Sequence, residues 1–377
     1  MIAMTAEQIL EKLVGFPSVV GTPNHVIVGW IADYLQRAGA KVIVLTGPEG
    51  DRANLFATIG PADRPGYLLS GHMDVVAATE PGWTSDPFRL QRNGTQLAGR
   101  GTSDMKGFLA CALAALPAIA GRLLARPLHL AFSYDEEAGC RGVPHLIAKL
   151  PDLCAKPQGC IIGEPSGMRA IRAHKGKAAA RIVLGGRAGH SSRPDLGLNA
   201  IHAMVDILGE AVMTAEHLTA GPFDTNFEPP YSSLQIGTIR GGQAVNVIPE
   251  ECTVELEARA IAGVDPAGLL AGIKGRLEAL KAKGFATHWE SMSSYPALSL
   301  AADAPLALLL EELTGQIPLA AVSYGTEAGL YQATGMEAII CGPGDIGRAH
   351  KANEFIEDSE LSACVRMIEA LGERLAR

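Results

Sequence analysis

Two histidines and a scatter of carboxylates carry the chemistry that this sequence offers. The stretch Tyr67–Val76, YLLSGHMDVV, reads as a buried strand ending in His72 and Asp74. Side chains two apart on an extended segment share a face. The pair therefore suits a metal ligand and a carboxylate that orients it. Further candidates are Asp104 in GRGTSDMKG, Glu136 and Glu137 in DEEAG, Glu164 in GEPSG and His350 in GRAHKANEFI. Each follows an apolar strand-like run or a Gly-rich loop. Singly they are weak. A lone His is more often packed or solvated than ligating, Asp104 suits a helix N-terminus electrostatically, and Glu136–Glu137 could be a solvated loop. Together, two imidazoles and three carboxylates form a mixed N/O donor set suited to zinc, cobalt or manganese. Two imidazoles, two terminal carboxylates and one bridging carboxylate would serve a pair of metals about 3.5–4 Å apart. Adjacent side chains diverge, so one of Glu136 and Glu137 can bind metal while the other takes a proton from the attacking water.

The elements that must position these residues alternate between strands and helices. Strand-like runs lie at Lys41–Gly47, Asn54–Gly60, Tyr67–Val76, Pro127–Gly139 and Gly159–Gly167. Two helical patterns occupy residues 6–39, and an alanine-rich helix runs to about Ala120. This alternation indicates an α/β fold with a largely parallel sheet. The acids recur just past the C-terminal strand ends, where open α/β sheets place their ligands. Ser103 before Asp104 fits a helix start. From about Lys175 the pattern becomes β-α-β-β-α-β, which matches a ferredoxin-like module of about 110 residues. The α/β texture returns after Pro296. The expected organisation is a discontinuous domain, residues 1–174 and 290–377, with the module 175–289 inserted in it.

Bulk properties narrow the function classes. The chain has 377 residues, 47% hydrophobic and 19% charged, so material for a core is ample. A net charge of −8 argues against general affinity for nucleic acid, which needs clustered Lys and Arg. No apolar run is expected to reach the roughly 18 residues of a membrane span. The N-terminal MIAMTAEQILEKLVGF reads as an amphipathic helix with a Thr5–Gln8 capping pair, not as a secretory signal. Seven cysteines without a CxxC pair suggest free thiols in a reducing, cytoplasmic setting.

The chain resembles the zinc aminoacylase/carboxypeptidase family in SGHMDVV, GRGTSDMKG, DEEAG, GEPSG, GRAGHSSRPDLGLNA, VNVIPEE and GPGDIGRAHKANEFI, spread over residues 70–357. The family includes acetylornithine deacetylase, succinyl-diaminopimelate desuccinylase and glutamate carboxypeptidase. The resemblance implies a metallopeptidase-like catalytic domain with an inserted ferredoxin-like α+β dimerisation and lid domain. It also implies two divalent metal ions, zinc first with cobalt or manganese as alternatives, and hydrolysis of a small N-acyl amino acid by a homodimer. Carried over by motif, His72 and Glu164 bind one metal, Glu137 and His350 the other, and Asp104 bridges. Asp74 orients His72. Glu136 is the general base that deprotonates water and later protonates the leaving amine, while the metals polarise the amide carbonyl.

In the inserted module, His190 of AGHSS reads alone as a solvated loop residue. The resemblance implies that it crosses the dimer interface and stabilises the oxyanion in the partner's site. Asn246 in VNVIP and Arg259 in ELEAR match positions that contact substrate oxygen or carboxylate in relatives. Read alone, they are equally a turn residue and a surface strand charge.

Two places lean toward the form that hydrolyses N-acetyl-L-ornithine to ornithine and acetate in arginine biosynthesis. One is GPGDIGRAHKANEFI. The other is Glu327 in SYGTEAG, a carboxylate that would suit a terminal ammonium and that reads equally as a helix N-terminal acid. Backbone N–H groups of the Gly342–Gly344 turn are placed to hold a substrate α-carboxylate. The rival substrates are those of a desuccinylase, an aminoacylase or a dipeptidase. A non-enzymatic binding protein on the same fold would be expected to have lost ligands or base, and none is missing.

Overall fold

The computed structural model describes residues 4–376 and divides into two compact units. The first comprises the chain up to Ala173, Leu298–Ala321 and the chain from Thr326. The second comprises His174–Ala297 and Val322–Gly325. The strand Ala286–Tyr295 lies whole within the second unit. A division at 289/290 would cut that hydrogen-bonded strand, and the chain leaves the unit only after Ala297.

The first unit is built on a six-stranded sheet. Its order is Lys41–Thr46, Ala53–Ile59, Leu128–Ser133, Tyr67–His72, Gly159–Pro165, Glu337–Gly342. The last four strands are mutually parallel, and Ala53–Ile59 runs against its neighbours. Ala53–Ile59, Leu128–Ser133 and Gly159–Pro165 are buried at every residue. This explains their continuous apolar runs, since strands covered on both faces need not alternate. The edge strand Lys41–Thr46 carries the exposed positions.

The helix Gly107–Ala120 is apolar all round and packs against helices Ala6–Val14 and Asp358–Leu375. With its preceding turn, residues 102–120, it is long and apolar enough to cross a membrane, contrary to the expectation from the sequence. It is 78% buried within the fold, as a core helix is. The N-terminal helix starts at Ala6, capped by the reciprocal Thr5–Gln8 bonds. Met1–Ala3 of the proposed amphipathic stretch lie outside the described residues. All seven cysteines are free.

The second unit has a four-stranded antiparallel sheet ordered Ser233–Gly241, Glu251–Ala260, Gly176–Gly185, Ala286–Tyr295. Cys252, Val254, Leu256 and Ala258 point into a core shared with helices Ala200–Leu218 and Ala271–Ala282. The alternate residues Thr253, Glu255, Glu257 and Arg259 are only partly buried, the period-two signature of a sheet with one covered face.

Candidate metal centre

Adjacent parallel strands deliver the acids and histidines at their C-terminal ends. His72 closes Tyr67–His72, Glu164 lies near the end of Gly159–Pro165, and Glu136–Glu137 follow Leu128–Ser133 by one turn. Register sets His72 opposite Ser133. The turn after Ser133 passes through Asp135 in the left-handed region, φ 50°. Asp135 is pinned by Arg52 and by the Gly21 N–H, 2.7 Å away.

His72 is fixed by its neighbour, though not as the sequence suggested. Its Nδ1 bonds the main-chain oxygen of Asp74 at 2.8 Å, while the Asp74 carboxylate is 3.6 Å away. That carboxylate instead accepts the N–H groups of Glu136 and Glu137, each at 3.1 Å. Asp74 therefore positions the ring with its backbone and the two glutamates with its side chain. With Nδ1–H on a carbonyl, Nε2 is left to face the acids. It lies 3.1 Å from Asp104 Oδ1 and 3.9 Å from Glu164 Oε1.

Asp104 lies near a helix N-terminus but not in the helix. Its φ −121° and ψ 93° are non-helical, and the helix begins three residues on, at Gly107. Ser103 caps no helix. Its hydroxyl donates to the Asp345 carbonyl and accepts the Asp345 N–H. The irregular turn aims one Asp104 oxygen at His72 and the other at His350 Nε2, 3.4 Å away. His350, in the left-handed region at φ 57°, also meets Glu137 Oε1 at 3.0 Å.

Donor atoms of His72, Asp104 and Glu137 lie within 4.8 Å of one another, as do those of His72, Glu136 and Glu164. The set is N/O only, without thiolate, which fits divalent zinc, cobalt or manganese. The acids also crowd one another. Burial, then the Glu137, Asp74 and Asp104 carboxylates, push Glu136 up to about 8, against the pull of His72. Burial, Asp104 and Glu136 raise Glu164 well above the carboxylate range. Burial also opposes ionisation of Asp104, yet hydrogen bonds with His350 and His72 hold it well below its usual value. Hydrogen bonds to Asp104 and Glu137 push His350 up to about 10. A buried anionic group of this kind calls for cations between its members, so the residues fit the implied metals.

Two expected substrate contacts, Glu327 and the Gly342 N–H, are differently employed. Glu327 is 1% exposed, with its carboxylate accepting from the Ser70 and Ser133 hydroxyls. It ties together the two strands that end at His72 and Ser133, and it is buried among them rather than exposed to solvent. The Gly342 N–H donates to Ser166 Oγ at 3.1 Å. A Cβ on Gly342 would stand 2.0 Å from the Gly163 oxygen, so this glycine permits close strand contact. Gly344, at φ 84°, likewise lets its turn approach Ser103.

In the second unit, His190 and Asn246 meet on a two-stranded ribbon. His190 pairs with Val247, and the Ser191 N–H donates to the Asn246 oxygen at 3.0 Å. Both residues are exposed, and His190 Nδ1 is 2.8 Å from Ser192 Oγ. Arg259 lies apart on the sheet, with its Nε donating to Glu257 at 2.9 Å.

The motifs did not reveal three buried groups. Lys106 donates to the Phe16 oxygen, and burial pulls its ammonium down to about 7 despite Glu354 and Asp74. Cys140 Sγ lies 3.3 Å from Glu136 Oε1. Glu354 accepts backbone N–H groups of the Asp104 turn. Lys106 lies within GRGTSDMKG and Glu354 within GPGDIGRAHKANEFI, so both could have been suspected. Cys140 has no periodicity or spacing to mark it.

Residues 68–374 match the description Peptidase family M20/M25/M40. An acetylornithine deacetylase of Photorhabdus laumondii subsp. laumondii is 32% identical over 373 residues, 97% of this chain and 95% of that one. The M20 family metallo-carboxypeptidase Sso-CP2 from Sulfolobus solfataricus shares the fold, with TM-score 0.78 at 16% identity, over 97% of this chain and 98% of that one. Bacillus subtilis YXEP, described as a dinuclear metal binding peptidase from the M20 family, gives TM-score 0.66 at 15% identity, over 97% and 96%.

Proposed function

Because the chain belongs to peptidase family M20/M25/M40, we propose that it is a two-metal amide hydrolase that deacetylates N-acetyl-L-ornithine. The observation that carries the hydrolase reading is the convergence of His72, Asp104, Glu137, Glu164 and His350, with Glu136 beside them. His72 and Glu164 would hold one metal, Glu137 and His350 the other, and Asp104 both. When bound, the pair supplies Lewis acidity toward the amide carbonyl and lowers the pKa of the attacking water.

The chain's own residues do the rest. Asp74, through the N–H groups of Glu136 and Glu137, holds the base and the ligand apart. The raised affinity of Glu136 for a proton suits a group that takes one from water and returns it to the leaving amine. His190 would donate to the oxyanion in a partner subunit, and Asn246 and Arg259 would contact substrate oxygen and carboxylate. A homodimer through the second unit and a cytoplasmic setting complete the reading, the latter supported by seven free thiols.

The acetylornithine assignment is supported by the 32% identical relative and by the GPGDIGRAHKANEFI motif. Glu327 adds no support, because it is buried and bonded to the Ser70 and Ser133 hydroxyls. That engagement favours a second reading, an aminoacylase or dipeptidase of wider range. Parallel assays on N-acetyl-L-ornithine, N-succinyl-diaminopimelate, N-acetylmethionine and a dipeptide decide between them. The highest kcat/KM is expected for acetylornithine, with loss of activity on chelation and return on adding zinc or cobalt. Preference for any other substrate replaces the assignment, and full activity of metal-stripped protein ends the metal-dependent reading. Light scattering that finds a monomer would remove His190 from a partner's site.

A further inference from the structure

Glu354 is buried, 1% exposed, and both of its oxygens are doubly engaged. Oε1 accepts the N–H groups of Ser103 at 2.8 Å and Asp104 at 3.0 Å. Oε2 accepts the N–H of Gly101 and an Nη1 hydrogen of Arg100, each at 2.9 Å. A carboxylate has about four lone-pair sites, and Arg100, Gly101, Ser103 and Asp104 fill them all. Gly101 has φ 82° and Asp104 is non-helical, so these N–H groups converge on a point outside the helix ladder. Such a concavity binds anions, and here the chain's own carboxylate fills it.

The turn held in this way is the one that aims Asp104 at both His72 and His350. His350 and Glu354 leave the same short segment, Ala349–Glu354, so one loop brings a candidate ligand and the clamp of another. We propose that Glu354 is a positioning residue that fixes the Asp104 backbone so that one carboxylate spans both metal positions. The inference rests on the metal-centre reading above. It adds a coupling: disturbing Glu354 weakens both positions together, although Glu354 touches neither histidine.

Glu354→Gln tests this at constant shape. Whichever way the amide turns, its NH2 meets either two backbone N–H groups or one N–H and the Arg100 guanidinium. Two acceptor contacts become donor against donor. Outer-shell partners of metal ligands typically contribute 10–100-fold in affinity, and a weakening of about that size is expected at both positions. The measurement is zinc titration of the metal-stripped full chain against a competing chelator, for wild type, Glu354→Gln, Asp104→Asn and His350→Ala.

The expected pattern is two zinc ions per chain in Glu354→Gln, both bound more weakly. His350→Ala should weaken one position more than the other. If Asp104→Asn binds two ions as tightly as wild type, the metal-centre reading fails. If Asp104→Asn is weakened but Glu354→Gln has wild-type affinities, whatever its melting temperature, Glu354 is merely structural and the proposal is overturned. Should Glu354→Gln not fold, Glu354→Asp carries the same criterion, since its shorter side chain cannot reach all four donors.

Discussion

In the first unit His72, Asp104 and Glu164 are buried and face one another, whereas in the second unit His190 and Asn246 stand in solvent and Arg259 pairs with its own strand neighbour. The first arrangement is set by the main chain. Asp74 clamps the Glu136–Glu137 backbone, and Glu354 clamps that of Asp104. In the second, His190 and Asn246 are held only by the short ribbon that joins them, while Arg259 lies on an inner strand of the sheet with its side chain turned to Glu257. A site whose ligands are held by backbone hydrogen bonds is preorganised before anything binds. Exposed side chains gain strength only when a substrate or partner desolvates them. Substitutions in the first unit should therefore show in metal content or in the chemical step, and those in the second in turnover with metal content intact.

The largest expected effect comes from the base. Glu136→Gln should retain two metals while kcat falls by about 10²–10⁴-fold, the usual worth of a positioned general base. Loss of metal in this variant would make Glu136 a ligand and blur the division of labour between it and Glu137. His190→Ala comes next. An oxyanion donor is worth about 10²–10³-fold in kcat, so turnover should drop by about that much with zinc stoichiometry unchanged. Unaltered turnover would leave the second unit without a part in the chemistry.

Glu327 separates substrate recognition from architecture within the first unit. Glu327→Ala takes from the buried Ser133 hydroxyl its acceptor, while the Ser70 hydroxyl keeps the Ala131 carbonyl and the Tyr331 hydroxyl within reach. This should cost about 1–3 kcal/mol of stability in urea unfolding. The ratio of kcat/KM for acetylornithine over N-acetylmethionine should stay the same. A selective loss on the cationic substrate would restore Glu327 as a specificity residue.

The two clamps also explain what could be read in the sequence. The candidate ligands could be picked out because each follows an apolar run or a Gly-rich loop, and a parallel sheet gathers its strand ends on one edge. The module was legible through its β-α-β-β-α-β order. The roles of Glu354 and Glu327 were not, because a buried acid that accepts from backbone or serine donors has no periodicity of its own. Gly342 was misread for a related reason. Its N–H looks free in a turn, yet Ser166, just past the end of the neighbouring strand, takes it. The return of Val322–Gly325 to the second unit is a tertiary fact that four residues of sequence do not announce.

The units share one property that tempers the contrast: each holds a buried neutral histidine outside the candidate residues. In the first unit this is His129, with Nδ1 2.9 Å from Thr58 Oγ and Nε2 without a hydrogen-bond partner among the described residues. Burial pulls His129 down to about 4. In the second it is His174, held at about 4 by burial despite a bond to the Lys175 carbonyl. An unfolded chain protonates histidine near 6.5, so as pH falls below that value the unfolded state binds the proton first. The stabilisation is complete above about 6.5 and is lost progressively between 6.5 and 4. For His129 alone the loss at pH 5 is about 2 kcal/mol. Urea unfolding of metal-stripped protein at pH 7.5 and pH 5 should show His129→Gln losing less stability than wild type by about that amount. An equal loss in both proteins would place the acid sensitivity of the first unit in the carboxylate–histidine cluster, and the contrast between the two units would then extend to their response to pH.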